Sequence, residues 1–166
     1  MPILASDSGV NFTPPPAGLT LAVCCDVIDR GLVKGKFGEK HKVVIRWQLE
    51  DVNPANGKRW ITQKTYTCSL NERATLRKDL ETWRGRKFSP EELKGFDLEK
   101  LIGVSCQVQI SHAPGDDGRT FANVDAVLGL AKGQHKLTTT EYVREKDRNG
   151  ATQPELVPDT DETVPF

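Results

Sequence analysis

In Val43-Val44-Ile45-Arg46-Trp47-Gln48-Leu49, apolar side chains recur at Val43, Ile45, Trp47 and Leu49, every second residue. A strand turns successive side chains to opposite faces, so these four share an inner face while Arg46 and Gln48 look outward beside Val44. Trp47, in register with three aliphatic neighbours, reads as core. Upstream, Leu19, Leu21, Val23, Cys25 and Val27 repeat the pattern and predict a first strand over Leu19 to Ile28. The two strands are joined by the Gly- and Lys-rich connection GLVKGKFGEKH, residues 31–41.

Downstream, Asn53-Pro54-Ala55-Asn56-Gly57 is dense in turn residues, and its Asn-Gly step is a hairpin signal into a third strand, about Arg59 to Cys68. Ser69-Leu70-Asn71-Glu72 matches a capping box. Leu76, Leu80 and Trp83 at helical spacing make the buried stripe of the helix it would start, with Arg73 and Arg77 off the stripe and Gly85 helping to end it. Ser89-Pro90-Glu91-Glu92 starts a short second helix with Pro in its first position, and Asp97 caps a further turn. The alternation Val104 to Ile110 and the segment Thr120 to Leu128, separated by HAPGDDGR (112–119), supply two more strands.

Three strands, a helical insert and two strands form the element order of an oligonucleotide-binding (OB) fold, a mainly β, five-stranded Greek-key barrel with its helix between strands three and four. Strand order does not fix pairing, so another small barrel satisfies it as well. Residues 1–18 form an arm ending in Pro14-Pro15-Pro16, which favours an extended lead-in. Hydrophobic periodicity fades from Gly129 onward. The expected organisation is an arm over 1–18, an OB domain over 19–130, a linker over 131–158 and an acidic tip over 159–166, with the C-terminal tail disordered in isolation.

The formal charge is zero, from 23 Lys and Arg against 23 Asp and Glu, but it is unevenly placed. Residues 151–166 hold four acids and no base, which leaves a mildly basic body and an acidic tail. Such a body attracts phosphates at modest salt, and the tail competes for the same surface. Cys24, Cys25, Cys68 and Cys106 form no Cys-x-x-Cys pair and fall on strand segments, so they read as reduced thiols rather than zinc ligands. His41, His112 and His135 are scattered. No apolar run approaches the ~20 residues of a membrane helix, and the opening MPILASDSG lacks a basic start and an apolar centre. A soluble, cytoplasmic protein without metal or cofactor is expected.

The chain ends VPDTDETVPF, residues 157–166. This string resembles the C-terminal tip of bacterial and phage single-stranded DNA-binding proteins, in which acids followed by Pro-Phe recruit replication and repair enzymes. The body resembles phage-encoded OB-fold proteins found with replication genes, through FTPPPAG (12–18), RWQLED (46–51), RKDLETWRGRKFSPEELKGFDLEKLIG (77–103) and FANV (121–124). The resemblance implies a protein that coats single-stranded DNA during replication, recombination or repair. It also implies a partner-binding tip of Asp159, Asp161, Glu162, Val164, Pro165 and Phe166. The long helical insert and the short linker depart from the better-known bacterial proteins, so their tetrameric state does not transfer; self-association of some order stays open.

In an OB barrel the nucleic acid crosses strands two and three between the loop joining strands one and two and the loop joining four and five. The first loop offers Lys34, Lys36, Phe37, Lys40 and Lys42; the second offers Arg119, with Phe121 just beyond. Arg46 lies on the outward face of strand two. Trp60, Thr62, Lys64 and Tyr66 share one face of strand three, and an aromatic, cation, aromatic alternation suits base stacking with phosphate pairing. The same residues fit the inner face equally well, with Ile61 outside. Arg84, Arg86 and Lys87 beside Trp83 either extend the DNA path or stay solvated.

An enzyme is disfavoured. Gly31 to Gly35 encloses three residues rather than the four of a P-loop, Phe37 replaces its Ser or Thr, and no Cys-His or Ser-His-Asp arrangement is recognisable. The stronger rival is an OB-fold protein-interaction module, a phage accessory or inhibitor protein that binds no nucleic acid.

Overall fold

A computed structural model of the chain describes residues 14–36, 38–115 and 120–147. The chain is mainly β: β1 (Gly18–Gly35), β2 (Gly38–Asn53), β3 (Lys58–Thr67), β4 (Ser105–Pro114) and β5 (Thr120–Leu128) form one antiparallel sheet in the order β3-β2-β1-β4-β5. Helices α1 (Thr75–Arg84) and α2 (Pro90–Lys94), then a 3-10 turn over Leu98–Leu101, fill the connection between β3 and β4. The edge strands β3 and β5 lie close together and α1 packs on both. No ladder joins them among the described residues, so the sheet is open rather than a closed barrel.

The main core lies between the inner face of the sheet and α1. Val43, Ile45, Trp47 and Leu49 enter it from β2, as the alternation predicts, and Leu76, Leu80 and Trp83 enter from the helix. The Trp47 and Trp83 rings meet at 6.1 Å with their planes tilted by 57°. Gly85 ends α1 in the left-handed conformation, where a side chain would be strained. At Ser89 both halves of the expected capping box form, and Asp97 caps the 3-10 turn through the Glu99 amide.

The capping box expected at Ser69 does not form. Ser69 Oγ accepts from the Asn71 amide, Asn71 Oδ1 accepts from Arg73, and α1 starts only at Thr75, with Ala74 giving no side-chain cap. Short polar side chains compete this way for nearby amides, and here the Ser69 and Asn71 oxygens each accept from the amide two residues on rather than from the one three residues on.

β1 also departs from its expected single face. Its ladder with β2 skips Cys25, so a bulge reverses the alternation in mid-strand. Ala22 and Cys24 before the bulge and Val27 after it pack on the main core; Leu21 and Val23 form a second cluster on the opposite side of the sheet, with Leu137. The region expected as a linker from 131 is therefore part of the domain at least through residue 147, because residues 137–147 lie across the outer face of β1 and β2. Of the N-terminal arm, Pro15 is buried and its carbonyl contacts His112 Nε2 at 2.7 Å; residues 1–13 lie outside the described residues.

Candidate nucleic-acid interface

The Lys-rich connection between β1 and β2 is a ladder rather than a loose loop. It stays paired to Gly35 opposite Gly38, with Lys34 facing Glu39 and Val33 facing Lys40, so β1 and β2 extend past the sheet as a two-stranded ribbon. Gly31, with φ 67°, sits at a second bulge at the ribbon's root, and Asp29 Oδ1 accepts from its amide and contacts His41 Nε2 at 2.6 Å. Those two hydrogen bonds hold the Asp29 carboxyl below its ordinary range. Lys34, Lys36 and Lys40 are all exposed, as are Leu32 and Val33; Phe37 lies outside the described residues.

Below the ribbon a groove of about 610 Å³ opens between the strand pair β2–β3 and the segment leading into α1. It is lined by Lys40, Lys42, Lys64, Thr65, Tyr66, Thr67, Ser69, Asn71, Arg73, Ala74 and Thr75, without a carboxylate. Lys42 Nζ donates to Thr67 Oγ1 at 2.9 Å. Lys64 is engaged by protein, since its Nζ reaches Asp79 Oδ2 on α1 at 2.9 Å, and the same oxygen accepts from the Tyr66 hydroxyl at 2.6 Å.

The stacking face expected on β3 is inverted. Tyr66 is 2% exposed and belongs to the core, Thr62 is buried, and Trp60 packs against the core from its edge, whereas Ile61 is 43% exposed. A ring packed in the core cannot stack a base, so Tyr66 leaves the candidate set. Burial and the adjacent Asp79 carboxylate raise the pKa of its hydroxyl strongly. Trp60 keeps an accessible edge in a second groove, where Val52, Lys58, Arg59 and Ile61 of the β2–β3 hairpin face Thr140 and Glu141.

Arg46 points outward as expected, but onto protein. Its guanidinium reaches Glu145 at 2.9 Å and Tyr142 Oη at 3.3 Å, and its Nε donates to Gln63 at 2.7 Å. Beside it the bulge brings Asp26 to the outer face, 1% exposed, where its carboxylate accepts from Tyr142 Oη at 2.7 Å, Arg144 Nε at 3.0 Å and the Glu145 amide at 2.9 Å. Burial alone would raise the Asp26 pKa; those three donors outweigh it and hold the carboxyl below its ordinary value. The outer face of β1 around Leu21, Val23 and Asp26 and the adjoining part of β2 at Arg46 and Gln48 are thus closed by the chain's own 137–147 segment.

Arg84 is likewise removed from a DNA path. Its side chain is buried over the rings of Phe88 and Phe96, 4.6 and 5.7 Å away, and pairs with Glu92 at 2.7 Å, which ties α1 to α2. That pairing, with the Ser89 amide, brings the Glu92 carboxyl down to about 2. Arg86 and Lys87 stay exposed, and Phe121 on β5 is exposed opposite Ala113. Arg119 and the tip residues Asp159, Asp161, Glu162, Val164, Pro165 and Phe166 lie outside the described residues.

The chain matches no protein-family model and no curated protein sequence.

Among the described residues no helix is long and apolar enough to cross a membrane, and no three His, Cys, Asp or Glu side chains gather as a metal site. Cys24 and Cys106 are buried, and burial raises both thiols. The sequence reading missed two things. Arg73 was set aside as lying off the helix stripe, yet it completes the lining of the basic groove. The 137–147 segment carried no periodic signal, although its Tyr142, Arg144 and Glu145 are residue types suited to pairing with Arg46 and Asp26.

Proposed function

We propose that the protein binds single-stranded DNA without catalysing a reaction on it, and recruits replication or recombination proteins through its acidic Pro-Phe tip. The observation that carries this reading is the run of cations from the exposed ribbon, Lys34, Lys36 and Lys40, into the carboxylate-free groove at Lys42. Lysines on a protruding ribbon and in a groove without competing acids suit contacts to phosphates that ignore base identity. The strand order β3-β2-β1-β4-β5 supports an OB fold, because it is the order of such a barrel opened between strands three and five. With the outer face of β1 and β2 covered, the strand runs along the ribbon and groove rather than over Arg46. On β3, Trp60 at the far hairpin is the aromatic left as a candidate for stacking, and Phe121 on β5 is exposed as well. A bacterial host cytoplasm is the setting this role implies.

Fluorescence anisotropy with labelled oligo(dT), and with duplex and RNA competitors, tests the reading. With about four to six phosphates neutralised, log K falls against log salt with a slope of roughly −3 to −4. Flat salt dependence, or equal affinity for duplex, overturns it. Deleting Val164 to Phe166 is expected to abolish partner capture from extract and leave oligo(dT) affinity unchanged. The rival, a protein-interaction module, draws on Leu32, 69% exposed on the ribbon beside Val33, where a partner's apolar surface would sit. It predicts no oligo(dT) binding at any salt.

A further inference from the structure

We infer that the segment between β3 and α1 supplies a phosphate subsite, with Arg73 as the side chain that completes it. The ligand is the phosphodiester backbone of a single strand, so the inference rests on the reading above and names where one part of that strand is held. Arg73 shares the lining of the groove with Lys40 and Lys42 but comes from the segment between β3 and α1, which the expected DNA path did not include. It is exposed, and its guanidinium has no hydrogen-bond or ion-pair partner among the described residues. Asp79, one turn into α1, is engaged by Lys64 and Tyr66.

The hydrogen bonding around Arg73 favours an anion. Ser69 and Asn71 use their oxygens to accept from the amides of Asn71 and Arg73. Those bonds leave the Ser69 hydroxyl proton and the Asn71 amide NH2 to donate. α1 begins at the groove wall with Ala74 and Thr75, has no side-chain cap and no acid in its first turn, and so presents the positive end of its dipole there. A volume of about 610 Å³ falls in the ~300–1,000 Å³ range of small-ligand clefts, room for a nucleotide-sized group rather than a lone ion. Arginine binds a phosphate bidentately and lysine as a point charge, so Arg73 orients the backbone that Lys40 and Lys42 attract.

The test uses the full chain in two arms. In the first, oligo(dT) affinity is measured across salt for the native protein, Arg73→Ala, Arg73→Lys and the control Lys94→Ala, an exposed lysine on α2 outside both grooves. Loss of one phosphate contact is expected to weaken binding several-fold and make the salt slope shallower by about 0.7, with Arg73→Lys between native and Ala. In the second, pyrophosphate is titrated while backbone amide NMR shifts are followed. Perturbations concentrated at residues 69–75, and lost in Arg73→Ala, are expected. If oligo(dT) binds but Arg73→Ala matches Lys94→Ala and pyrophosphate leaves 69–75 unmoved, the subsite is overturned and the nucleic-acid reading stands. If oligo(dT) does not bind while pyrophosphate still shifts 69–75, the phosphate site stands and the nucleic-acid reading falls. If neither ligand acts, both fall.

Discussion

Gln48 and Thr140 are joined through both ends of the glutamine amide: Nε2 donates to the Thr140 carbonyl at 2.6 Å, and Oε1 accepts from the Thr140 amide at 2.8 Å. A side chain on β2 thus pairs with the backbone as a neighbouring strand would, and fixes the covering segment in one register. Gln48→Ala leaves both backbone groups of Thr140 without this partner and is expected to cost about 1–3 kcal/mol. Asp26→Ala removes the acceptor of the Tyr142 hydroxyl, of the Glu145 amide and of one Arg144 N–H, and about 2–4 kcal/mol is expected, moderated because Arg144 keeps Glu99 and Tyr142 keeps Arg46. Urea unfolding followed by Trp fluorescence measures both; a change under 0.5 kcal/mol in Asp26→Ala contradicts a structural role for the segment.

Acid stability follows from the same carboxylate. The folded pKa of Asp26 lies below its unfolded value of about 3.9, so on acidification the unfolded chain takes up the proton first. Its contribution is complete above about pH 5 and is lost as the pH falls through the folded pKa. Asp29, Glu92 and Glu145 are lowered too, so Asp26→Asn is expected to make the acid limb of a stability-against-pH curve shallower without abolishing it. An acid limb identical in slope to that of the native protein excludes this account.

Gly129, just after β5, passes close over the end of α1. A Cβ there would lie 2.8 Å from the Trp83 carbonyl oxygen, which is backbone and cannot swing aside. Gly129→Ala is expected to destabilise by about 1–3 kcal/mol by pushing the helix end off the sheet. Calorimetry checks it, and an unchanged melting temperature shows that the helix end yields.

Tyr66→Phe separates core from interface. Removing the hydroxyl takes one hydrogen bond from Asp79 while Lys64 remains, so about 1 kcal/mol of stability is expected to go, with oligo(dT) affinity per folded molecule unchanged. A loss of affinity without a loss of stability places the ring on the binding surface after all.

β4 was legible because it buries one face, Cys106, Val108 and Ile110, and alternation reports that directly; β2 was legible because its large apolar set Val43, Ile45, Trp47 and Leu49 alternates, although Val44 and Gln48 on its other face are buried too. Leu76, Leu80 and Trp83 were legible for the same reason at helical period. β3 was ambiguous because both of its faces carry large side chains, Trp60 and Tyr66 on one and Ile61 on the other, so period two gives the faces without saying which is inside. β1 misled because a one-residue bulge at Cys25 reverses its phase and leaves no mark on composition. The covering segment was invisible for a different reason. Polar pairs such as Gln48–Thr140 and Asp26–Tyr142 join residues 92 and 116 positions apart, and no local pattern encodes such separations.

The cover over β1 also sets an order of events during synthesis. Tyr142 is added 116 residues after Asp26, a delay of roughly 6–23 s at ~5–20 residues per second. Until residue 137 is added Leu21 and Val23 have no Leu137 to pack against, and until residues 142–145 follow the Asp26 carboxylate lacks its three donors. The nascent protein therefore carries a sticky apolar stripe on its earliest strand until almost the last part of the domain has emerged, and that stripe is where a chaperone would be expected to hold it.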